Sequence, residues 1–248
     1  MDRRRYLSLL AFRVLMMVLA LLTAARALHE SGGGAKPWFL AALFAISAAL
    51  LQILPVVVPT GGGRSVVYSL GGAFFLAGMF LLPSGPLAIT VTFAVALAGL
   101  VVATRPYRLV VQLSVSVLSY AGVALLLRLG PHADDPVTPT LERSAVEFLI
   151  MAGAVVSQLL FKSVELRLQR GDATPHWGAF QRDALIEGSL ALALGTTITV
   201  LVRNHVAYLG LVYAQVGATW WFLHRYRVHV RKLEARGAPA AARRKIAA

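Results

Sequence analysis

The chain contains no cysteine. That removes disulfide frameworks, thiolate metal sites and cysteine nucleophiles at once. Charge is scarce as well: Asp, Glu, Lys and Arg make up 14% of the 248 residues, against about 25% in a soluble domain. Acid is scarcer than base, with 11 Asp and Glu against 24 Lys and Arg. The longest polar segments, 130–143, 165–183 and 225–248, are too short to build a core of their own, so no separate soluble domain is expected. Catalytic signatures are missing too: the sequence has no H-E-x-x-H, no G-x-S-x-G and no G-x-x-x-x-G-K.

What is present is apolar sequence, 58% of the chain. It falls into eight runs, at 6–28, 38–59, 66–82, 86–104, 107–129, 144–164, 184–202 and 206–224. A helix rises about 1.5 Å per residue, so about 20 residues cover a hydrocarbon core of about 30 Å. Placing the inter-run residues on alternate sides sorts the cations sharply. Arg3, Arg4, Arg5, Arg64, Arg105, Arg108, Lys162, Arg167, Arg170, Arg182 and the eight basic residues after His224 share one side. Arg26, Lys36, Arg128, Arg143 and Arg203 share the other, and Arg13 lies inside the first run. The positive-inside rule makes the first side cytoplasmic. The expected fold class is therefore all-α: a polytopic membrane helix bundle of about eight transmembrane segments, with both termini cytoplasmic. Residues 1–224 form one integral membrane domain and 225–248 a basic cytoplasmic tail.

The net charge of +13 would suggest nucleic acid in a soluble protein. Here anionic lipid headgroups are the expected partner, and no nucleic acid. Asp2-Arg3-Arg4-Arg5, an apolar run and Ala25-Arg26-Ala27 imitate a signal peptide, but the run is longer than a usual signal core, and an uncleaved first helix is expected. Arg13, about two turns in, is expected to snorkel to the headgroups.

Runs 3 and 4 are the least ordinary part. Gly71, Gly72 and Gly78 interrupt run 3, and the uncharged link Leu82-Pro83-Ser84-Gly85-Pro86 leads into run 4. Two full spans compete with a re-entrant hairpin, since broken elements gather near binding sites in membrane proteins. Length favours two full spans. Gly71, Gly72, Gly78, Pro83, Gly85 and Pro86 are accordingly the candidate ligand or packing site, with close helix packing as the simpler role of the glycines. Run 5 carries Gln112, Ser114, Ser116 and Ser119 as a weakly polar stripe. Such stripes usually form interhelical hydrogen bonds, and a lined lumen is the sharper alternative.

Elsewhere the ionisable groups are thin. Glu147 and Lys162 lie near opposite ends of run 6, within reach of headgroups or water. Asp134-Asp135 falls far short of a calcium loop, and the six His are scattered on both sides, so neither metal nor cofactor is expected. Glu165, Asp172, Asp183 and Glu187, with His176 and Arg182, flank one inner loop and are the best cluster for chemistry. The tail residues Arg225, Arg227, Arg231, Lys232, Arg243, Arg244 and Lys245 are candidates for contact with anionic lipid or an acidic protein.

From Gly63-Arg64-Ser65-Val66-Val67-Tyr68-Ser69-Leu70-Gly71-Gly72-Ala73, through Pro83-Ser84-Gly85-Pro86-Leu87-Ala88 and Arg105-Pro106-Tyr107-Arg108, to the Ser-rich run 5, the order of features resembles a bacterial pattern. It is similar to the multi-span sensor-like membrane domain found ahead of HD-GYP phosphodiesterase or GGDEF cyclase domains, over roughly residues 40–227. Position 72 departs from that pattern, with Gly where many relatives are expected to carry an acidic or polar residue. Neither an HD nor a GGDEF domain follows in this sequence, so no nucleotide chemistry carries over. The resemblance implies a bacterial inner-membrane signalling module working through a membrane or cytoplasmic protein partner. The expected function is thus a non-enzymatic sensor-like or scaffold protein. The alternatives are a small-solute transporter or substrate-binding membrane subunit, and a membrane enzyme using the loop 165–187.

Overall fold

Each of the eight apolar runs carries helix, but the helices differ in length and in what they face. The computed structural model describes residues 3–29, 35–61, 64–128, 141–170, 177–214, 216–218, 221, 225 and 228. In chain order these are α1 (Arg3–His29), α2 (Ala35–Ile53), a hairpin of β1 (Val56–Gly61) and β2 (Arg64–Tyr68), α3 (Gly72–Leu81) and α4 (Ser84–Val101). Then come α5 (Pro106–Val117), a π-helical turn (Leu118–Gly122), α6 (Val123–Arg128), α7 (Leu141–Arg170) and α8 (Trp177–Asn204). A 3₁₀ turn (Val206–Tyr208) opens the last helical stretch, Val206–Ala218.

Five helices are long and apolar enough to cross a membrane: Tyr6–His29, Ser84–Val101, Pro106–Leu126, Ala145–Gln169 and Ala184–Asn204. Pro37–Ile53, Gly72–Leu81 and Val206–Ala218 are apolar but shorter. The helical, membrane-type architecture expected from the apolar runs is present.

Run 3 is the correction. Its helical part is ten residues, about 15 Å of rise and half a hydrocarbon core, so a full-length spanning helix over 66–82 does not form. The chain before it is strand instead: β1 and β2 pair antiparallel, Val56 opposite Tyr68 and Val58 opposite Val66, with an irregularity between Pro59 and Gly61. Val56-Val57-Val58 and Val66-Val67-Tyr68 are β-branched and aromatic residues that favour extended backbone.

The short α3 is the centre of the core. Ala73, Phe74, Phe75, Leu76, Ala77, Gly78 and Met79 are all buried. It packs along α8 through small residues: a Cβ added at Gly195 would stand 3.0 Å from the Leu76 Cβ and 3.1 Å from the Ala73 carbonyl oxygen. Against α2 the approach is closer still, since a Cβ at Gly71 would come 2.6 Å from the Ala48 carbonyl oxygen. Small residues at such crossings let dispersion act between helices where lipid removes the hydrophobic drive. Phe44 meets Phe74 edge-on at 5.4 Å, and Phe75 meets Tyr120 at 5.1 Å between ring centres.

Among the described residues, ion pairs tie the long helix α7 to its neighbours near both ends. Toward its C-terminal end, Arg13 of α1 donates to Glu165 at 2.9 Å. The Arg13 guanidinium also lies 5.2 Å from the Tyr107 ring centre, a cation–π distance. Arg13 therefore forms an interhelical contact. Toward the N-terminal end of α7, Arg203 of α8 grips Glu147 with two bonds, 2.8 and 3.2 Å.

Candidate functional site

Polar side chains inside a lipid-facing bundle are costly unless something answers them, so the place where they converge is the place to look. The stripe on run 5 provides the first part. Gln112, Ser116 and Tyr120 follow at intervals of four along α5 and into the π turn, and all three line one cavity of about 110 Å³. The π turn is the sort of one-turn irregularity that recurs at functional sites. Tyr120 is buried within it, and its hydroxyl donates to the side-chain Oε1 of Gln158 on α7 at 3.2 Å.

One turn further along α7, Lys162 lines the same cavity. From α8 comes Glu187, whose Oε1 accepts from the Ser69 backbone N–H at 2.9 Å. That bond satisfies a backbone donor just before α3, where the chain leaves the hairpin and no helical partner exists. Gly72 opens α3 at the cavity wall, and a Cβ there would lie 3.0 Å from the Tyr120 hydroxyl oxygen. Gln52, at the end of α2, completes the wall, and its Oε1 is buried without a hydrogen-bond partner. Among the described residues neither Lys162 nor Ser116 makes a hydrogen bond or ion pair. A second recess of about 230 Å³ abuts the first and shares Gln112 and Lys162 with it. Arg108, Glu165 and Gln169 line it toward the Arg13 contact.

The arrangement offers donors, acceptors, one cation and one anion to a small guest. The described groups include no hydroxyl hydrogen-bonded to a His or carboxylate base, and no group of three or more His, Asp or Glu is placed to hold a metal ion. A separate recess of about 220 Å³ between α2, α3 and the last helical stretch is apolar, apart from Ser47 and Tyr213, whose hydroxyls meet at 2.5 Å.

Of the six glycines and prolines expected as a site, Gly72 lines the polar cavity, with Gly71 seated on the Gln52 side chain beside it. Gly78 packs on Leu87 and Leu82. Pro83 precedes α4, and Gly85 and Pro86 lie buried in its first turn, where the Pro86 carbonyl accepts from Thr90. These four are packing residues remote from the cavity wall. The expected inner-loop cluster is split: Glu165 pairs with Arg13 while Glu187 holds Ser69. Asp172 and His176, and the side chains of Arg182 and Asp183, lie outside the described residues. Arg225 places its guanidinium 5.0 Å from the Trp221 ring centre. Arg227, Arg231, Lys232, Arg243, Arg244 and Lys245 lie outside the described residues.

Gln112 and Ser116 were visible in the sequence as part of the polar stripe, and Tyr120 was not. Gln52, Gln158, Lys162 and Glu187 as a joint constellation were not, although Gln158 and Lys162 share a helix face by their spacing of four. No family model matches the chain, and no curated protein or solved structure matches it.

Proposed function

We propose that this chain is a non-enzymatic, solute-binding membrane module, a multi-span inner-membrane protein that receives a small polar solute in the cavity between α3, α5, α7 and α8. The observation that carries the reading is the set of unanswered polar groups on that wall, Gln52 Oε1, Ser116 and Lys162. Water or a solute must satisfy them, since hydrocarbon cannot. A broken helix starting at the cavity, as α3 does at Gly72, is the arrangement in which membrane proteins commonly build solute sites.

The same reading places both termini and the cavity mouth on the cytoplasmic side. Its support is that groups near the same ends of the runs meet one another: Glu147 with Arg203, and Ser84 with the Ala27 carbonyl, at the ends opposite the termini, and Arg13, inside the first run, with Glu165. Arg225 over Trp221 fits an aromatic belt running into a basic, lipid-contacting flank. In this role the module reports solute occupancy to a protein partner, in keeping with the resemblance to sensor-like membrane domains.

The test is thermal unfolding of the purified protein in detergent with a panel of small polar solutes, alongside mass spectrometry of any solute that copurifies. At least one solute is expected to raise the midpoint, and Ser116→Leu, which fills the cavity, is expected to abolish the rise. If no solute acts on the intact protein, the reading fails. A second reading, a transporter, is favoured by one observation: α7 is latched near each end, by Glu165 and by Glu147, on different partner helices. Uptake of the stabilising solute into liposomes would select it.

A further inference from the structure

Resting on the solute-binding reading, we infer that the guest is a small zwitterion, carrying one carboxylate and one ammonium group. Lys162 and Glu187 line the same cavity of about 110 Å³ from α7 and α8, yet they make no ion pair with each other. Glu187 uses Oε1 on the Ser69 N–H. Its remaining oxygen and the whole Lys162 ammonium are without a protein partner among the described residues. The other charged groups nearby are engaged or displaced: Glu165 is held by Arg13 and Gln169, and Arg108 faces the outer recess, where its Nε contacts the Tyr107 hydroxyl.

Each class of guest meets this pair differently. A monoanion satisfies Lys162 and is repelled by Glu187. A monocation satisfies Glu187 and is repelled by Lys162. A neutral guest displaces water from both charges and pairs with neither. Only a guest with both charges neutralises both walls at once. Its carboxylate end would lie toward Lys162 and its ammonium toward Glu187, with Gln158, Gln52 and Ser116 left for the remaining polar atoms. Size points the same way. A cavity of about 150 Å³ accommodates benzene, so 110 Å³ suits a guest of amino-acid size without a large side chain.

The experiment measures binding of glycine, β-alanine and 4-aminobutyrate to the purified full-length protein by calorimetry and thermal shift. Propionate, propylamine and glycerol serve as the single-charge and neutral comparisons. At least one amino acid is expected to bind tenfold or more tighter than all three comparisons, and Lys162→Met and Glu187→Gln are each expected to weaken it at least tenfold. Because Glu187 also holds Ser69, Glu187→Asp and Lys162→Arg provide folded alternatives. Both are expected to keep zwitterion binding while changing the preferred spacing between the two charges. If propionate or glycerol binds as well as every amino acid, the inference is overturned while the cavity reading stands. If the amino acids bind but neither charge variant weakens them, it is overturned as well. If none of the six compounds binds and the wider solute panel also fails, both readings fall together.

Discussion

α1 and α3 are both apolar, and they solve opposite problems. α1 offers a 24-residue stretch of spanning length of which only 17% of its most apolar window is buried by the rest of the protein. Leu15, Leu19, Leu21 and Leu22 point outward. α3 has ten residues and buries seven of them. The first is matched to lipid, which accepts almost any apolar shape. The second is matched to its neighbours, through contacts so close that Gly71 and Gly195 leave no room for a methyl group on the facing backbone or side chain. Apolar sequence therefore carries two kinds of information here. In α1 it fixes length, and in α3 it fixes fit.

That contrast can be broken by substitution. Gly71→Val should be the most damaging change, because the new side chain meets the Ala48 carbonyl oxygen, a backbone atom that cannot swing aside. A loss of folded protein, or at least about 3 kcal/mol of stability, is expected from overpacking of this kind, read by denaturant unfolding in micelles. Phe75→Ala, which removes the ring packed on Tyr120, should cost about 3 kcal/mol by cavity formation, and should also loosen the polar cavity it helps to line. Glu147→Gln should cost about 1–3 kcal/mol, since the buried residue 147 would then offer Arg203 a weaker acceptor. At the small end, Leu21→Ala on α1 should change stability by under about 0.5 kcal/mol, because that side chain is 63% exposed to lipid. A large loss at Leu21 would show that the outer face of α1 is itself a protein interface, and the contrast with α3 would collapse.

A turn offers a change of opposite sign. Ala103 adopts φ +54° between α4 and α5, while Thr104 N–H bonds back to the Gly99 carbonyl at 2.8 Å. This is a helix C-terminal turn in which glycine is the preferred residue. Ala103→Gly should raise stability by about 0.5–1 kcal/mol, seen as a higher unfolding midpoint with unchanged solute binding.

The apolar runs announced the helices, because the length of a run and the helical rise are a matter of counting. They did not announce where helix gives way to strand within runs 2 and 3. Val56-Val57-Val58 and Val66-Val67-Tyr68 read as continuations of spanning segments when only hydrophobicity is followed, whereas their β-branched character around Gly61–Gly63 was the signal for a hairpin. The cavity was half legible. Gln112 and Ser116 marked a face, and Gln158 with Lys162 marked another. Which faces meet depends on α3 being short enough to leave a space at its N-terminal end. That shortness follows from packing against α2 and α8, and it has no local signature. Arg13 illustrates the same limit: its partner Glu165 lies 152 positions away.

The π turn at Leu118–Gly122 bears on how run 5 tolerates insertion and deletion. An α-helix advances about 100° per residue, so a π turn acts as one residue inserted into the helical phase. Upstream, the phase aims Gln112 and Ser116 at the cavity; downstream, it turns Ala124 into the packed interior. A continuous α-helix could not hold both alignments. Deleting one residue between 118 and 122 would convert the π turn into an ordinary α turn and leave both halves on their present faces, whereas inserting one more would rotate the α6 half by about 100° about its axis. Run 5 is in this sense two helical stretches whose sequence phases differ by one residue, joined at the tyrosine that lines the cavity.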